Sequence, residues 1–232
     1  TAGDLGRAFV ADMERLTLER NGEKILANVE CNAGVIDRGH SLGHLRGQKL
    51  ADGDSAIVIA AGPSIKRFDP IQEIRAQGYG GTIIAADSAV AYCLRNGVVP
   101  HLVVSLDPDA TRIVRWFGDP RLTEEALRGD DYFRRQDMDS RFSDELSANR
   151  EILELLDEHG PKMRIALCTS ASSAVVERVL QTGMEVFWWN PMLDDPGDPN
   201  GLTARARAWN GLPSVNAGGN VGAACWMMAH AV

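Results

Sequence analysis

The stretch that decides the fold runs from Ser55 to Asp109 and reads SAIVIAAGPSIKRFDPIQEIRAQGYGGTIIAADSAVAYCLRNGVVPHLVVSLDPD. Three apolar runs within it are rich in β-branched residues, and each is followed directly by polar residues. Such runs are typical of strands buried on both faces, and hence of a parallel sheet covered by helices. Ligands of such sheets bind outside the carboxyl ends of the strands, so the polar tips predict a site for a polar, phosphorylated small molecule. The three tips are Gly62-Pro63-Ser64, Asp87-Ser88 and Asp107-Pro108-Asp109.

The same alternation of strands and helices continues toward the end of the chain. Strands are predicted at residues 164–168 and 185–189, and helices at residues 88–96 and 143–159. Asp69 is predicted to cap the helix that Pro70 opens. This alternation predicts an α/β fold with a Rossmann-like, doubly wound, mostly parallel sheet.

A helical arm is predicted before the sheet. Apolar residues recur at near-helical spacing up to Asn21-Gly22, which resembles a helix end, and a second helix is predicted from Glu23 to Ile36. Residues 39–53 are predicted to form a loop. We therefore expect an arm at residues 1–50 and a Rossmann-like domain at residues 51–232. Because the chain ends within a helical pattern, a further strand is expected beyond it.

Two polar segments interrupt the alternation. Residues 110–141 are charged and longer than an ordinary connection between a strand and a helix, so they are predicted to form an insertion or a lid. Arginines within this segment suit a flap over an anionic ligand, but a solvated surface insertion explains them equally well. The second segment is predicted to be an acidic loop that ends at Pro213. The four arginines are Arg112, Arg115, Arg134 and Arg135.

The composition argues against several classes of protein. A formal charge of −8 without a dense block of Lys and Arg argues against binding to nucleic acid. No apolar run reaches the roughly 18 residues that a membrane span requires. The cysteines are widely spaced and form no CxxC pair, which indicates reduced thiols in a cytoplasmic protein. They are Cys31, Cys93, Cys168 and Cys225.

Each of the first three tips has a functional and a structural interpretation. At Gly62-Pro63-Ser64, glycine would let the backbone approach a phosphate and Ser64 would add a hydroxyl; a tight strand-to-helix turn explains the same residues. Asp87 is a candidate catalytic residue or a helix N-cap, with Ser88 beside it. Asp107 and Asp109 form an Asp-x-Asp pair that suits a hard divalent cation such as magnesium, or else a capped turn.

The later strand ends add further candidates. Four hydroxyl residues follow the fourth strand at the start of a helix, where free N–H groups favour an anion. Ordinary capping explains one of these hydroxyls. Two adjacent glycines before the last helix would allow the close approach of a ligand. The candidate ligand contacts in these regions are Thr169, Ser170, Ser172, Asn190, Asn216, Gly218, Gly219 and Asn220.

Three segments resemble the MptE-like family. They are AAGPS at residues 60–64, AADSAVAYCLRNGVVPHLVVSLDPD at residues 85–109 and NAGGNVGAACWMMAHA at residues 216–231. The family is named for archaeal 6-hydroxymethylpterin diphosphokinases and also contains the central domain of the bacterial motility accessory factors (Maf). The resemblance covers most of residues 55–232 and implies a Rossmann-like fold.

The resemblance implies two alternative activities. The archaeal diphosphokinases transfer pyrophosphate from ATP to a pterin alcohol with magnesium, and their third tip resembles Thr-Asp-Leu-Asp-Gly. This chain keeps Asp87 and Asp107 but has Ser105 where those enzymes carry an acidic residue. Its Ser-Leu-Asp-Pro form resembles the Maf branch, which is implicated in transferring nonulosonic acid sugars to flagellin. By resemblance, Ser64 and its turn would hold nucleotide phosphate, and Asp87, Asp107 and Asn220 would line the cleft.

These observations favour a cytoplasmic, nucleotide-dependent transferase. The first expectation is a glycosyltransferase that uses a CMP-type sugar nucleotide and a protein or glycan acceptor such as flagellin. The alternatives are a diphosphokinase dependent on ATP and magnesium, and a catalytically silent scaffold that binds a nucleotide or a partner. Catalytic roles are expected for Asp87 and Asp107, and Asp107 with Asp109 is the candidate metal pair.

Overall fold

A parallel sheet forms the centre of the chain in the computed structural model, which describes residues 21–110, 113–129 and 141–231. Its strands are β1 (His40–Ser41), β2 (Ala56–Ile59), β3 (Thr82–Ala86), β4 (Leu102–Ser105), β5 (Arg164–Cys168), β6 (Glu185–Pro191) and β7 (Ser214–Val215). Their order is β1-β6-β5-β4-β3-β2, with β7 paired to β6. All of these pairings are parallel.

Helices cover both sides of this sheet, so the predicted α/β, Rossmann-like fold is confirmed. They are α1 (residues 21–32), α2 (Ser64–Phe68), α3 (Pro70–Ala76), α4 (Val90–Arg95), α5 (Ile113–Trp116), α6 (Glu124–Gly129), α7 (Arg141–His159), α8 (Ser173–Gln181), α9 (Leu202–Asn210) and α10 (Val221–Ala231). Helix α7 contacts α4, α5 and α6, whereas α10 packs against β2, β3 and β4.

The central strands form because their apolar, β-branched residues can be buried on both faces of the sheet. All four residues of β4 are buried, as are four of the five in β3. The register pairs Ala86 with Val104, and therefore brings the next residues of these strands, Asp87 and Ser105, to the same point of the carboxyl edge. The fold thus places the polar tips of neighbouring strands side by side.

The structure corrects the prediction that Asp69 caps a helix. Its backbone has φ 40° in the left-handed region, and its side chain makes no capping hydrogen bond. Instead, Asp69 Oδ1 accepts a hydrogen bond of 2.7 Å from the Tyr92 hydroxyl. The carboxylate therefore ties the start of α3 to α4.

Three predicted boundaries also differ from the structure. Asn21 and Gly22 are helical and are the first described residues of α1. The predicted loop at residues 39–53 contains β1 and a 3-10 turn, because Leu42 and Leu45 are buried against the sheet. The predicted acidic loop contains α9, whose first turn is fixed by the Asp194 carboxylate through the N–H groups of Leu202 and Thr203. Asp194 caps α9 from eight residues upstream, a distance that a local sequence pattern does not reveal.

The predicted irregular insertion at residues 110–141 contains α5 and α6. Ile113, Val114 and Phe117 are buried in the main core, because α5 packs against α7, α8 and the turn at Asp87–Ala89. This part of the segment is a packed wall of the domain. Arg112, Arg134 and Arg135, and the first 20 residues of the arm predicted at residues 1–50, lie outside the described residues.

Candidate active site

The carboxylate of Asp87 lies at the carboxyl edge of the sheet, directly after β3. Its side chain is 1% exposed. Its Oδ2 accepts a hydrogen bond of 2.7 Å from Ser105 Oγ, and its Oδ1 accepts one of 2.7 Å from the Ser88 N–H. Burial raises the pKa of Asp87 to about 6, with a further upward contribution from the charge of Asp107, while the two hydrogen bonds act in the opposite direction. The pKa of the Asp87 carboxyl group therefore lies close to neutral pH.

The tip of β4 forms a tight turn around Asp107. The Asp107 Oδ1 accepts a hydrogen bond of 2.9 Å from the N–H of Asp109, which makes the Asx turn that such sequences favour. Asp107 Oδ2 has no hydrogen-bond partner among the described residues. The Asp109 carboxylate lies 3.7 Å from Lys24 Nζ on α1, in an exposed pair. One carboxylate oxygen of Asp107 is thus available to a ligand.

The Gly62-Pro63-Ser64 tip is a compact turn with space beside the glycine. The Gly62 N–H donates to Ala60 O at 2.8 Å, and Gly62 O accepts from the Ile65 N–H at 3.1 Å. A Cβ added at Gly62 would meet nothing nearer than Ser64 Oγ at 3.6 Å, an ordinary van der Waals contact. The turn itself therefore does not require glycine for steric reasons.

The tip of β5 is satisfied internally. Thr169 Oγ1 donates to Asn190 Oδ1 at 2.7 Å, and Ser170 Oγ donates to Leu106 O at 2.7 Å. Ser172 is the N-cap of α8 and accepts from the N–H of Val175. All three hydroxyl residues are buried, so in this conformation they hold the loop together. Their predicted role as ligand contacts stays a prediction.

Asn190 joins β6 to α9. Its amide exchanges two hydrogen bonds with the amide of Asn210, at 2.8 and 2.9 Å, and it is fully buried. It also donates to Leu212 O at 3.3 Å and accepts from Thr169. These contacts use both ends of the amide, so they describe a structural connection; a ligand-binding role for Asn190 stays a prediction.

The loop before α10 is the most exposed of the candidate segments. Gly218 and Gly219 have φ of 62° and 82°, values that side chains other than glycine rarely adopt. Asn216 Oδ1 accepts from the Gly218 N–H at 2.9 Å, and Asn220 Oδ1 accepts from the Ala223 N–H at 2.9 Å. Asn220 thus caps α10, and the glycines shape the turn into that helix. Gly222 brings this helix start close to β2, because a Cβ there would lie 3.3 Å from Ala60 Cβ.

A cleft of about 980 Å³ opens beside the tips of β2 and β3. Four of the predicted site residues line it, namely Gly62, Pro63, Asp87 and Ser88. The other predicted residues are not among those that line this cleft in the described part of the chain. Arg115 of α5, one of the arginines predicted to suit a flap over an anionic ligand, also lines the cleft. The wall further contains residues for which no role at the site was predicted, namely Tyr92 and Arg95 of α4, Trp116 of α5, and Asn149 and Ile152 of α7.

The cleft combines apolar walls with charged groups. Tyr92 and Trp116 bring two aromatic side chains to it, and Arg115, a residue that is 9% exposed, brings a guanidinium. Arg95 bonds to the Glu151 carboxylate through Nε and Nη2 at 2.9 and 2.7 Å. The i, i+3 spacing of Tyr92 and Arg95 on α4 is a signal in the sequence that could have marked this wall. A cleft of this kind can hold a planar ring together with an anionic group.

The segment that carries the tips of β2, β3 and β4 is similar to a known protein family. Residues 24–116 match the family model described as 6-hydroxymethylpterin diphosphokinase MptE-like. The predicted resemblance is therefore confirmed over that segment, which contains most of α1 and the tips of β2, β3 and β4. The match supports a diphosphokinase-like or related transferase scaffold. No curated protein matches the chain.

The donor atoms at this edge do not form a magnesium site by themselves. Within the described residues, no three Asp, Glu, His or Cys side chains group as metal ligands. At the position where the resemblance expects an acidic residue, Ser105 donates a hydrogen bond to Asp87. The Asp107 Oδ1 is used by its own turn, and Asp109 faces Lys24. The predicted metal role of Asp107 and Asp109 thus lacks a third ligand from the described residues.

None of the described helices combines the length and the apolar character needed to cross a bilayer.

Proposed function

We propose that the chain is the nucleotide-binding core of a transferase, and that its donor is a CMP-type sugar nucleotide. The hydrogen bond from Ser105 to Asp87 is the observation that carries this proposal. An acidic residue at position 105 would set two carboxylates against each other, an arrangement that needs a shared cation. A hydroxyl at that position stabilises the Asp87 anion without a cation. A CMP-type donor suits this edge because it carries a single phosphate and needs less charge neutralisation than ATP.

Asp87 is our candidate general base. Transfer of a sugar to a hydroxyl acceptor requires that the acceptor lose its proton as the bond forms. A carboxylate whose pKa is raised to about 6 accepts that proton more readily than an ordinary Asp, while remaining largely ionised at neutral pH. Asp87 also lines the cleft, so an acceptor hydroxyl can reach it there.

The remaining roles follow from the walls of the cleft. Gly62 offers open space beside its backbone, where a donor phosphate can approach. Tyr92 and Trp116 offer ring faces for the base, and Arg115 offers a cation for the phosphate or for the sugar carboxylate. Asp107 is not among the residues that line the cleft, but it lies close enough to Asp87 for its charge to raise the pKa of that carboxyl group, and we assign Asp107 Oδ2 to a hydroxyl of the donor. The acceptor, of which flagellin is the example that the resemblance supplies, and the cytoplasmic location belong to the same proposal.

The second candidate is a 6-hydroxymethylpterin-type diphosphokinase that uses ATP and magnesium. The description of the matching family favours it, and the chain keeps Asp87 and Asp107 of that pattern. In that case Asp87 and Asp107 would hold the cation together with the phosphates of ATP, which would supply the ligands that the protein lacks.

A thermal-shift panel separates these candidates. At a hundred times its dissociation constant, a ligand stabilises the folded state by about 2.7 kcal/mol, which raises Tm by roughly 5–10 °C for a chain of this length. We expect this shift with CMP and CMP-N-acetylneuraminic acid in the presence of EDTA. A shift in Tm that occurs only with ATP and magnesium would support the diphosphokinase. The absence of a shift with any nucleotide would support the catalytically silent scaffold.

Ser105→Asp provides a matched variant for the same panel. The introduced carboxylate would face Asp87, so the variant should be less stable than the wild type in EDTA and should regain stability with magnesium. Wild-type protein should show neither change. Magnesium stabilisation of the wild type equal to that of the variant would contradict our account of the hydrogen bond.

A further inference from the structure

Three polar residues of α1 lie on one face of the helix and point toward the tips of β4 and β5. Lys24, Asn28 and Asn32 are spaced by four residues, which places them in a row along the helix. We call this row the α1 stripe. Each member contacts a strand tip, and in all three contacts the two residues are at least 80 positions apart in sequence. From the sequence, these residues were predicted to lie in the helical arm, and no role at the site was predicted for them.

Asn28 is the member that spans the two tips. Its Nδ2 donates to Ser170 O at 2.7 Å, after β5, and to Pro108 O at 3.3 Å, after β4. Asn32 makes a matching pair of bonds, but both of its acceptors, Thr169 O and Ala171 O, belong to the β5 tip. The two asparagines thus differ in one respect, because only Asn28 contacts the segment that carries Asp107.

The backbone around Asp107 is held on both sides. The carbonyl before it, Leu106 O, accepts from Ser170 Oγ at 2.7 Å, and the carbonyl after it, Pro108 O, accepts from Asn28. The Asx turn between Asp107 and Asp109 then fixes the carboxylate relative to this backbone. The orientation of Asp107 Oδ2 therefore depends on Ser170 and on Asn28, the latter about 80 residues away in sequence.

We propose that Asn28 is a positioning residue of the site, which acts on the ligand through Asp107. This inference rests on the proposed function, since that function assigns Asp107 Oδ2 to the donor. Lys24 contributes little by itself, because its pair with Asp109 is exposed and screened by solvent. Asn32 anchors the β5 tip, where the hydroxyls are already satisfied. The matching family segment begins at residue 24, the first residue of the stripe.

Hydrogen exchange tests the structural half without any ligand. Asn28→Ala should raise exchange of the backbone amides of Asp107 and Asp109 by about tenfold, which corresponds to about 1.4 kcal/mol of local opening. Asn32→Ala should raise exchange at residues 169–172 and leave residues 107–109 within about twofold of the wild type. Glu30→Ala, an exposed residue on the opposite side of α1, controls for general loosening of the helix. Equal effects of Asn28→Ala and Asn32→Ala at residues 107–109 would overturn the proposal.

Calorimetric titration with CMP tests the functional half. Asn28→Ala should weaken CMP binding about tenfold, and Asn28→Asp, which keeps the size but cannot donate, should do the same. Asn32→Ala should change it less than twofold. The double variant Asn28→Ala with Asp107→Asn should bind CMP no more weakly than Asp107→Asn alone, because both substitutions remove the same contact with the ligand. Additive losses would show that Asn28 does not act through Asp107, and would overturn the inference.

The two halves also separate the inference from the proposed function. If the wild type binds neither CMP nor CMP-N-acetylneuraminic acid, the proposed function fails and the exchange result alone decides whether Asn28 positions the β4 tip. If the wild type binds CMP and Asn28→Ala binds it equally well, the proposed function stands and the positioning role is refuted.

Discussion

The tips of β3 and β5 carry the same kind of sequence and differ in how their polar groups are satisfied. At the β3 tip, a buried carboxylate with a raised pKa lines an open cleft. At the β5 tip, Thr169, Ser170 and Ser172 bond to other parts of the protein, and α1 covers their backbone through Asn28 and Asn32. One tip is left ready for a ligand, and the other is used to hold the edge together.

This difference shows that a polar residue after a buried strand is an ambiguous signal. Its meaning depends on whether a distant segment of the chain supplies its hydrogen-bond partner. At β5 the partners come from Asn190, Leu106 and the α1 stripe; at β3 they are a single hydroxyl and a backbone N–H, which leave an unfavourably buried charge. An unfavourable charge that the fold retains is a physical reason to expect function there.

The largest expected effect comes from Asp87→Asn, which removes the charge at the β3 tip. Transfer activity should fall by about a hundredfold or more, as is typical for loss of a general base. Stability should change in the opposite direction. Folding raises the pKa of Asp87 from 3.8 to about 6, so between these values the folded state binds more protons and the wild-type free energy of unfolding falls as the pH rises.

The variant lacks this dependence. Relative to the wild type, Asp87→Asn should gain up to about 3 kcal/mol in the free energy of unfolding between pH 4 and pH 8. Urea denaturation at the two pH values measures the gain, with Asp119→Asn as a control in another turn. An equal difference between variant and wild type at both pH values would mean that Asp87 has an ordinary pKa, and would remove the contrast between the tips.

The second effect concerns Asp107, which stands between the two tips. Asp107→Asn keeps an oxygen for the Asx turn but removes the charge, so it should cost about 1.5–3 kcal/mol of nucleotide binding, roughly ten- to a hundredfold in affinity. Folding stability should change by less than about 1 kcal/mol. Titration calorimetry and a urea melt measure the two quantities. Unchanged nucleotide affinity with a large loss of folding stability would show that Asp107 is a structural residue, like the hydroxyls of the β5 tip.

Thr169→Val should show the reverse pattern at the β5 tip. The variant keeps the shape but cannot donate to Asn190 Oδ1, so it should lose about 1–2 kcal/mol of folding stability. Asn210 still donates to the same oxygen, which limits the loss. Nucleotide affinity should stay within about twofold of the wild type. A selective loss of affinity would show that the β5 hydroxyls contact the ligand, as the sequence analysis predicted.

The smallest expected effect on folding comes from Gly62→Ala. The added methyl meets only ordinary contacts, so stability should change by less than about 1 kcal/mol. Nucleotide affinity should nevertheless fall, because the methyl occupies the space that a phosphate would use. Gly218→Ala is the matched comparison, since φ 62° and a Cβ contact of 2.8 Å to Ala223 Cβ make it strained without any ligand. Unaltered nucleotide affinity in Gly62→Ala would show that the donor phosphate does not bind beside this turn.

The parts of the fold that depend on local patterns could be predicted from the sequence. Strands β3, β4 and β5 were predicted within a residue because their apolar runs are continuous and end abruptly. Helix α9 was missed because its start is fixed by Asp194, eight residues before Leu202. Strand β1 was missed because two residues are too few to show the alternating pattern of a strand, and only their pairing with β6 makes them one.

The candidate site was predictable in one part for the same reason. Gly62 and Asp87 stand at the ends of apolar runs, so a parallel sheet brings them to one edge. Tyr92, Arg115 and Trp116 join them through the packing of α4, α5 and α7, which no local pattern specifies. The division of labour between Asn28 and Asn32 depends on which carbonyl lies within reach of each amide, and that is a property of the assembled fold.

The return of α10 to the first strands has a consequence for how the molecule forms. Gly222 packs beside Ala60, a residue about 160 positions earlier, and the helix covers β2, β3 and β4. Contacts this distant in sequence carry a large loop-closure entropy and are typical of slowly folding topologies. On the ribosome, these three strands would be complete long before the helix that shields one of their faces is made. During that interval the apolar face that α10 covers stays exposed, which favours chaperone binding or transient non-native packing.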